Sequence, residues 1–398
     1  MTVYIKPSTA RGTITAPPSK SVTHRALICA ALSGGSRVEN VDFSDDIKAT
    51  VEGLKSLGAN IEITGSTVNA GGIYIENISN ANINANESGS TLRFLIPLAL
   101  LSGKSVTFYG KNRLFSRDLS VYEEMALKQG IKFSNGENSL TVCGCLQSGE
   151  YEVRGDISSQ FVSGLMFALP LLSGDSIISF TSPVESKPYI DMTVKVLSDF
   201  GVMIIPRDNG YFIKGGQTYK SRNFTVEGDC SNAAFLEAFN LFGGSVKVNG
   251  LNADTLQGDR VYKEFFDRIE KGGSFALGDC PDLAPVLFTL AAQFSGAVFT
   301  GTRRLRIKES DRAAAMKKEL EKFGGELIIG ENKVKVENTK LHTPAEPLCS
   351  HGDHRIVMAL SVLLSRYGGM IEGAEAVNKS YPGFFGDIKK LGIEVDIR

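Results

Sequence analysis

No stretch of the 398-residue chain reaches the ~18 consecutive apolar residues of a membrane-crossing helix. The N-terminal MTVYIKPSTARG has neither the apolar core nor the cleavage pattern of a secretory signal, so no targeting segment is expected. Neither sign of charge dominates. The 43 Lys and Arg stand against 44 Asp and Glu, a formal net charge of -1, which argues against a general nucleic-acid or acidic-membrane binder while leaving room for local basic clusters. No basic stripe with interleaved aromatics suits RNA. Cysteine is sparse and scattered, at 29, 143, 145, 230, 280 and 349. Only Cys143 and Cys145 are close, and C-x-C is neither a redox nor a zinc spacing, so free thiols in a reducing cytoplasm are expected. With only four histidines, HGDHR (351–355) has no second cluster to complete a metal site. GxxxxGK[ST], GxGxxG after a strand and GxSxG are all missing. Neither a metal nor an organic cofactor is expected.

What the chain does have is an ordinary globular composition, 42% hydrophobic and 22% charged, and a repeat. A polar turn, an apolar helix ending in glycine and a short strand recur six times: KSVTHRALICAALSGGSRVENV, GSTLRFLIPLALLSGKSVTFYG, SSQFVSGLMFALPLLSGDSIISF, CSNAAFLEAFNLFGGSVKVNG, PDLAPVLFTLAAQFSGAVFTG and DHRIVMALSVLLSRYGGMIEGA. The glycines that end these helices are Gly34, Gly103, Gly174, Gly243, Gly296 and Gly368, spaced 69, 71, 69, 53 and 72 apart and placed to supply left-handed caps. A second helix follows in each copy, as in LKSLGANIEIT and IKKLGIEVDI, and turns into an alternating strand. The unit is therefore about βαβαββ. The sixth copy stops at Arg398, and the N-terminal strands VYIKP and GTITAP are expected to complete it. The expected division is residues 1–16 with 228–398 in one domain and 17–227 in the other, with hinge crossings near 16 and 227. Units near 70 residues are long enough to be subdomains, which weighs against a solenoid.

The turns before the first helices differ in chemistry. They carry Lys20, Ser21 and Arg25; Ser90 and Arg93; Ser158, Ser159 and Gln160; Asp229 and Ser231; Asp279 and Asp282; and Asp353, His354 and Arg355. Helix starts present free N–H groups and a positive dipole. Several of them at one site, with Arg and Lys added, would bind phosphate or carboxylate. Lys20 is the odd member, a cation where the dipole already is positive. Ser19 or Ser21 is its candidate helix cap. In RRLRIKESDRAAAMKKEL (303–320), Glu309 and Arg312 suit a solvated helix pair, but Lys308, Glu309 and Arg312 also fall at a strand-to-helix corner, a common place for active groups.

PPSKSVTHRA, SGSTLR, SSQFVSGLMFALP, SKPYIDMT, EGDCSNAAF, QGD, RIKESDR, GDHRIVMA and NKSYPGFF occur in one order. Together they resemble the EPSP synthase (3-phosphoshikimate 1-carboxyvinyltransferase) family over essentially the whole chain. The related UDP-N-acetylglucosamine enolpyruvyl transferases carry asparagine after the N-terminal lysine and a loop cysteine; here Ser21 follows Lys20. The resemblance implies an α/β fold of two globular domains, each of three βαβαββ units with pseudo-threefold symmetry, the inside-out α/β barrel. It implies transfer of the enolpyruvyl group of phosphoenolpyruvate to the 5-hydroxyl of shikimate 3-phosphate with release of phosphate, in aromatic amino-acid biosynthesis.

Carried over by motif, Lys20, Ser21, Arg25, Ser158, Ser159, Gln160, Ser186, Tyr189, Asp282 and Lys308 are expected at shikimate 3-phosphate. Lys20, Gly89, Arg117, Gln160, Arg312, Arg355 and Lys379 are expected at phosphoenolpyruvate. Asp282, in CPDLAP, matches the family's proton acceptor, and Glu309 or Lys308 is the candidate acid, with Lys20 close to both substrates. Two positions depart from the family. Asn86-Glu87-Ser88 replaces a glycine-asparagine turn before Gly89, and Arg304 replaces an asparagine. A cytoplasmic monomer is expected, with these two small molecules as its only partners and neither nucleic acid nor membrane. The alternatives are the UDP-sugar transferase and a non-catalytic repeat scaffold.

Overall fold

The computed structural model describes residues 1–111 and 114–398. The chain forms two compact units: Pro18–Glu227, here the inserted unit, and Met1–Pro17 with Gly228–Arg398, the split unit. Each has its own buried apolar core.

The inserted unit contains helices α1 (Lys20–Leu32), α2 (Asp45–Ser56), α3 (Gly89–Ala99), α4 (Ser120–Lys128), α5 (Ser159–Ala168) and α6 (Lys187–Asp199). The split unit contains α7 (Cys230–Glu237), α8 (Tyr262–Ile269), α9 (Ala284–Gln293), α10 (Arg312–Glu321), α11 (His354–Tyr367) and α12 (Phe384–Lys390). The first helix of each repeat is apolar nearly all round, and it is buried nearly all round. Val22–Ala31 of α1, all of α3 but Ser90, all of α5 but Gln160 and all of α9 but Gln293 are buried. The second helices α2, α6 and α8 are amphipathic and bury one face. In α8 that face is Tyr262, Phe265 and Ile269, at helical spacing. Helices thus fill each unit and open sheets lie around them. No helix among the described residues is long and apolar enough to cross a membrane.

The sheets repeat one plan. Strands Ala81–Asn84 and Ser105–Tyr109 are parallel; Ser139–Cys143 pairs antiparallel with the second of these and with Lys132–Asn135. The same order recurs in Glu150–Val153, Ser176–Phe180, Gly210–Ile213, Ile204–Arg207 and in Ser274–Ala276, Ala297–Thr300, Lys333–Val336, Leu327–Ile329. The parallel pair brackets a helix, as crossover connections require.

Three sequence expectations need correction. Only Thr2–Ile5 completes the sixth repeat, in the sheet Leu348–Cys349, Gly369–Glu372, Thr2–Ile5, Val395–Ile397. The other N-terminal strand, Arg11–Thr15, pairs in parallel with Ser245–Asn249 of the fourth repeat. Conversely Asn223–Thr225, which precedes the fourth repeat in sequence, is the first strand of the first repeat's sheet beside Ser36–Glu39. The two strands have changed places. Second, the fourth repeat is not a full βαβαββ copy: its sheet has two strands, and after α8 the chain runs directly into Ser274–Ala276, the first strand of the fifth sheet. The missing hairpin is the short 53-residue spacing. Third, Gly103, Gly243, Gly296 and Gly368 take positive φ, whereas Gly34 and Gly174 do not. Helix α1 ends at an extended Ser33 whose N–H bonds Ala30 O, so Gly34 has no left-handed position to fill.

Candidate functional site

In the inserted unit, α1, α3 and α5 start at serines. Ser19 accepts from Val22 N at 3.5 Å, Ser88 from Thr91 N at 3.1 Å, and Ser158 from Gln160 N at 3.3 Å. Ser19, not Ser21, is therefore the cap of α1. Lys20 is then the first helical residue, and the anion that offsets its unfavourable place is Asp46, 2.6 Å from Nζ. Asp46 stands in the first turn of α2, where the dipole favours a carboxylate.

Arg25 lies one turn further along α1 and is buried. Its Nε donates to Thr193 Oγ1 at 2.8 Å, Nη1 to Ser21 O at 2.7 Å and Nη2 to Tyr189 O at 2.9 Å, and the guanidinium lies 5.2 Å from the Phe94 ring centre. Burial pushes its pKa down to about 10. This bonding brings Ser21 and Tyr189 together. Ser186, just before α6, holds a left-handed backbone at φ 57.

A second group forms where α3 meets α5. Gln160 Oε1 accepts from Arg93 Nη1 at 2.9 Å, and its Nε2 donates to Ser90 Oγ at 2.9 Å. Arg93 also donates to Asp118 O at 3.1 Å and lies over Phe161. A Cβ on Gly89 would sit 2.9 Å from Arg93 Nη1, 3.1 Å from Arg117 Nη1 and 3.5 Å from Gln160 Oε1. Two guanidinium ends and an amide thus converge on the bare backbone of Gly89. Arg117 Nε is buried there with no hydrogen-bond partner among the described residues.

In the split unit the helix starts carry aspartates. Asp229 accepts from Asn232 N at 2.8 Å and Asp353 from Arg355 N at 2.9 Å. Asp282 lies in the turn Pro281–Leu283 that leads into α9. Arg355 ties the three together: Nη1 bonds Ser231 Oγ, and Nη2 bonds Asp282 Oδ2 at 2.8 Å. Arg312, 1% exposed, donates to Asp282 at 2.6 Å, Glu309 at 2.7 Å and Asp353 at 2.9 Å. Lys308 Nζ is 3.3 Å from Asp282. Lys379 Nζ donates to Gly352 O at 2.6 Å, next to this network.

The electrostatics follow from that packing. Burial alone would raise the pKa of Asp282, but Arg355, Lys308 and Arg312 outweigh it and hold the carboxyl well below the usual range. Burial lowers the pKa of Lys308, aided by the charges of Arg312 and Arg304 and opposed by Asp282. Arg312 and Arg355 are both raised despite burial, Arg312 chiefly by Asp353 and Arg355 chiefly by Asp282.

The profile of the EPSP synthase (3-phosphoshikimate 1-carboxyvinyltransferase) family matches residues 5–272 and 267–388. The chain belongs to this family. It is 44% identical to the 3-phosphoshikimate 1-carboxyvinyltransferase of Clostridium kluyveri, covering 99% of this chain and 98% of that one. It is 42% identical to the enzyme of that name from Clostridium perfringens, covering 98% of both. Among solved structures, EPSP synthase from Acinetobacter baumannii matches all of both chains with a TM-score of 0.79 at 22% identity, which shows a shared fold.

The turn before Gly89, where the sequence departs from the family pattern, is bent at Asn86. Asn86 takes the left-handed conformation at φ 51, and its N–H is held by Asn84 Oδ1 at 2.9 Å. Arg304 is buried in the short helix Arg303–Ile307, and its charge helps depress Lys308. Residues outside the set carried over by motif also join these networks, among them Asp46, Ser90, Arg93, Thr193, Ser231 and Asp353; Ser90, Arg93, Ser231 and Asp353 are in the helix-start turns that the sequence displays. Arg93 stands one turn from Gly89 on the same helix face, a spacing that the sequence displays. The pairing of Lys20 with Asp46 and of Arg312 with Asp353 joins distant elements, and no local pattern signals it.

Proposed function

We propose that the two sets of residues serve enolpyruvyl transfer from phosphoenolpyruvate to the 5-hydroxyl of shikimate 3-phosphate. The observation that carries this is the gathering of cations at helix starts in both units of a chain of the EPSP synthase family. Curated relatives over nearly the whole chain are named for the shikimate enzyme, which disfavours the UDP-sugar alternative.

In this reading Ser21, Arg25, Ser158, Ser159, Ser186 and Tyr189 hold shikimate 3-phosphate, with Lys20 and Gln160 near both substrates. Arg117, Arg312, Arg355 and Lys379 neutralise phosphoenolpyruvate, and the bare Gly89 lets its anionic end approach. Fixing two mutually repelling anions in reactive geometry contributes on the order of 7–11 kcal/mol.

Asp282 begins as a poor base, held by three cations. An anion that takes Arg312 and Arg355 as partners removes part of that hold and raises the basicity of Asp282, as proton acceptance from the 5-hydroxyl requires. Lys308, depressed by burial, is a stronger acid than an ordinary lysine, and Glu309 accepts from Arg312. That favours Lys308 as the donor to C3 of phosphoenolpyruvate and Glu309 as the acceptor of the C3 proton later. Protonation at C3 makes C2 electrophilic, the 5-hydroxyl oxygen bonds to C2, and its proton goes to Asp282. Loss of a C3 proton and of phosphate from the tetrahedral adduct restores the double bond.

For location the reading is the cytoplasm, supported by six free cysteines, and the reading for assembly is a monomer. The test is phosphate release from phosphoenolpyruvate with shikimate 3-phosphate as acceptor, beside UDP-N-acetylglucosamine. Release with the first alone is expected; release with the second alone overturns the proposal.

A further inference from the structure

Glu319 lies two turns along α10 from Arg312 and is fully buried. Its carboxylate accepts from His351 Nε2 at 2.7 Å, Lys322 Nζ at 2.8 Å and Cys349 N at 2.9 Å. Burial would raise its pKa, but these three donors hold it below the ordinary range. Helix α10 therefore grips the segment 349–353 at both ends, through Glu319 at Cys349 and His351 and through Arg312 at Asp353.

That segment is bent at an unfavourable residue. His351 adopts φ 51, a left-handed conformation that a residue with a Cβ resists. Its side-chain bond to Glu319 compensates. The residues beyond the bend belong to the candidate site: Gly352 O accepts from Lys379, Asp353 caps α11, and Arg355 comes two residues later. The other contacts of the segment include backbone bonds, Ser350 N to Glu372 O and Asp353 N to Ser350 O, which leave the imidazole as its side-chain anchor to α10 ahead of Asp353.

We infer that His351 and Glu319 are positioning residues for the phosphoenolpyruvate set: their bond fixes the bend at 351 and with it the start of α11 and the acceptor of Lys379. This rests on the reading that Arg355 and Lys379 hold phosphoenolpyruvate. The bond requires an imidazole that carries its hydrogen on Nε2. Lys322 and Cys349 N remain on Oε2 of Glu319 when the imidazole is removed, so the carboxylate keeps its cation, while Oε1 loses the bond that His351 makes.

The test is steady-state phosphate release by the full chain. His351→Ala is expected to raise KM for phosphoenolpyruvate by about tenfold, with a smaller change in kcat and no change in KM for shikimate 3-phosphate. His351→Gln keeps an N–H donor and is expected near the parent value, and added imidazole is expected to lower KM in His351→Ala. An unmoved KM for phosphoenolpyruvate, an equal rise in both KM values, or a glutamine variant as impaired as alanine with no imidazole effect overturns the inference. If His351→Ala does not fold, the contrast of His351→Gln with His351→Leu supplies the same split. Arg355→Ala separates the two levels. If it too leaves KM for phosphoenolpyruvate unmoved, the site assignment itself fails; if it raises that KM and His351→Ala does not, only the positioning role fails.

Discussion

The inserted and split units share a plan and differ at their helix starts. In the inserted unit Ser19, Ser88 and Ser158 cap α1, α3 and α5. In the split unit Asp229 and Asp353 cap α7 and α11, and Asp282 occupies the turn before α9. A serine satisfies a helix N–H without adding charge. An aspartate does the same, suits the dipole, and when buried demands a cation. Arg25 and Arg93 are accordingly met by carbonyls, a hydroxyl, an amide and ring faces, whereas Arg312 and Arg355 are met by carboxylates. Around Arg25 and Arg93 none of these partners is a carboxylate, whereas around Arg312 and Arg355 the carboxylates of Asp282, Glu309 and Asp353 stand against the cations.

The sharpest way to break this comparison is at Asp282. Asp282→Asn is expected to lower kcat on the order of a thousandfold while both substrates still bind. A near-normal kcat in phosphate release ends the assignment of Asp282 as proton acceptor.

Stability should separate the two kinds of cap. Asp353→Asn strips one of the three carboxylates on Arg312 and is expected to cost about 2–3 kcal/mol. Ser88→Ala loses only a cap and is expected to cost about 1 kcal/mol. Urea unfolding of both variants measures the difference, and equal losses would erase the distinction.

Gly89→Ala places a methyl 2.9 Å from Arg93 Nη1 and 3.1 Å from Arg117 Nη1. KM for phosphoenolpyruvate should rise about tenfold with that for shikimate 3-phosphate little changed. An equal rise in both would contradict the split of binding roles.

The smallest effect concerns pH. His24 is buried in α1, bonded through Nδ1 to Thr50 Oγ1 at 2.7 Å, and burial, Lys20 and Arg25 hold its pKa well below 6.5. The unfolded chain takes up a proton below about pH 6.5 that folded His24 resists, so this contribution to stability is complete above that pH and is lost as pH falls. His24→Asn should flatten the change in urea midpoint between about pH 7.5 and 5.5; an unchanged slope would place the titration elsewhere.

The helices were legible because each central one is apolar all round and ends near a glycine, and that pattern alone returned six repeats. Arg11–Thr15 and Asn223–Thr225 were not legible as exchanged strands. Parallel pairing is made by backbone groups, which side-chain pattern does not display. The truncated fourth repeat was visible as a spacing, but only the sheet showed that the hairpin was what had been lost.

At the site, chemistry belonged to the sequence and partnership to the fold. Lys20 reads as a cation at a helix start, and Arg312 as half of a surface pair with Glu309. That the first meets Asp46 and the second meets Asp353 follows from tertiary packing, because α1 and α2, and α10 and α11, come together through their apolar faces and carry their charged ends along. Residue types and periodicity determined which groups exist and which element bears each. Only burial decided which charges must be paired, since a carboxylate or guanidinium removed from water takes the partner that the packing provides.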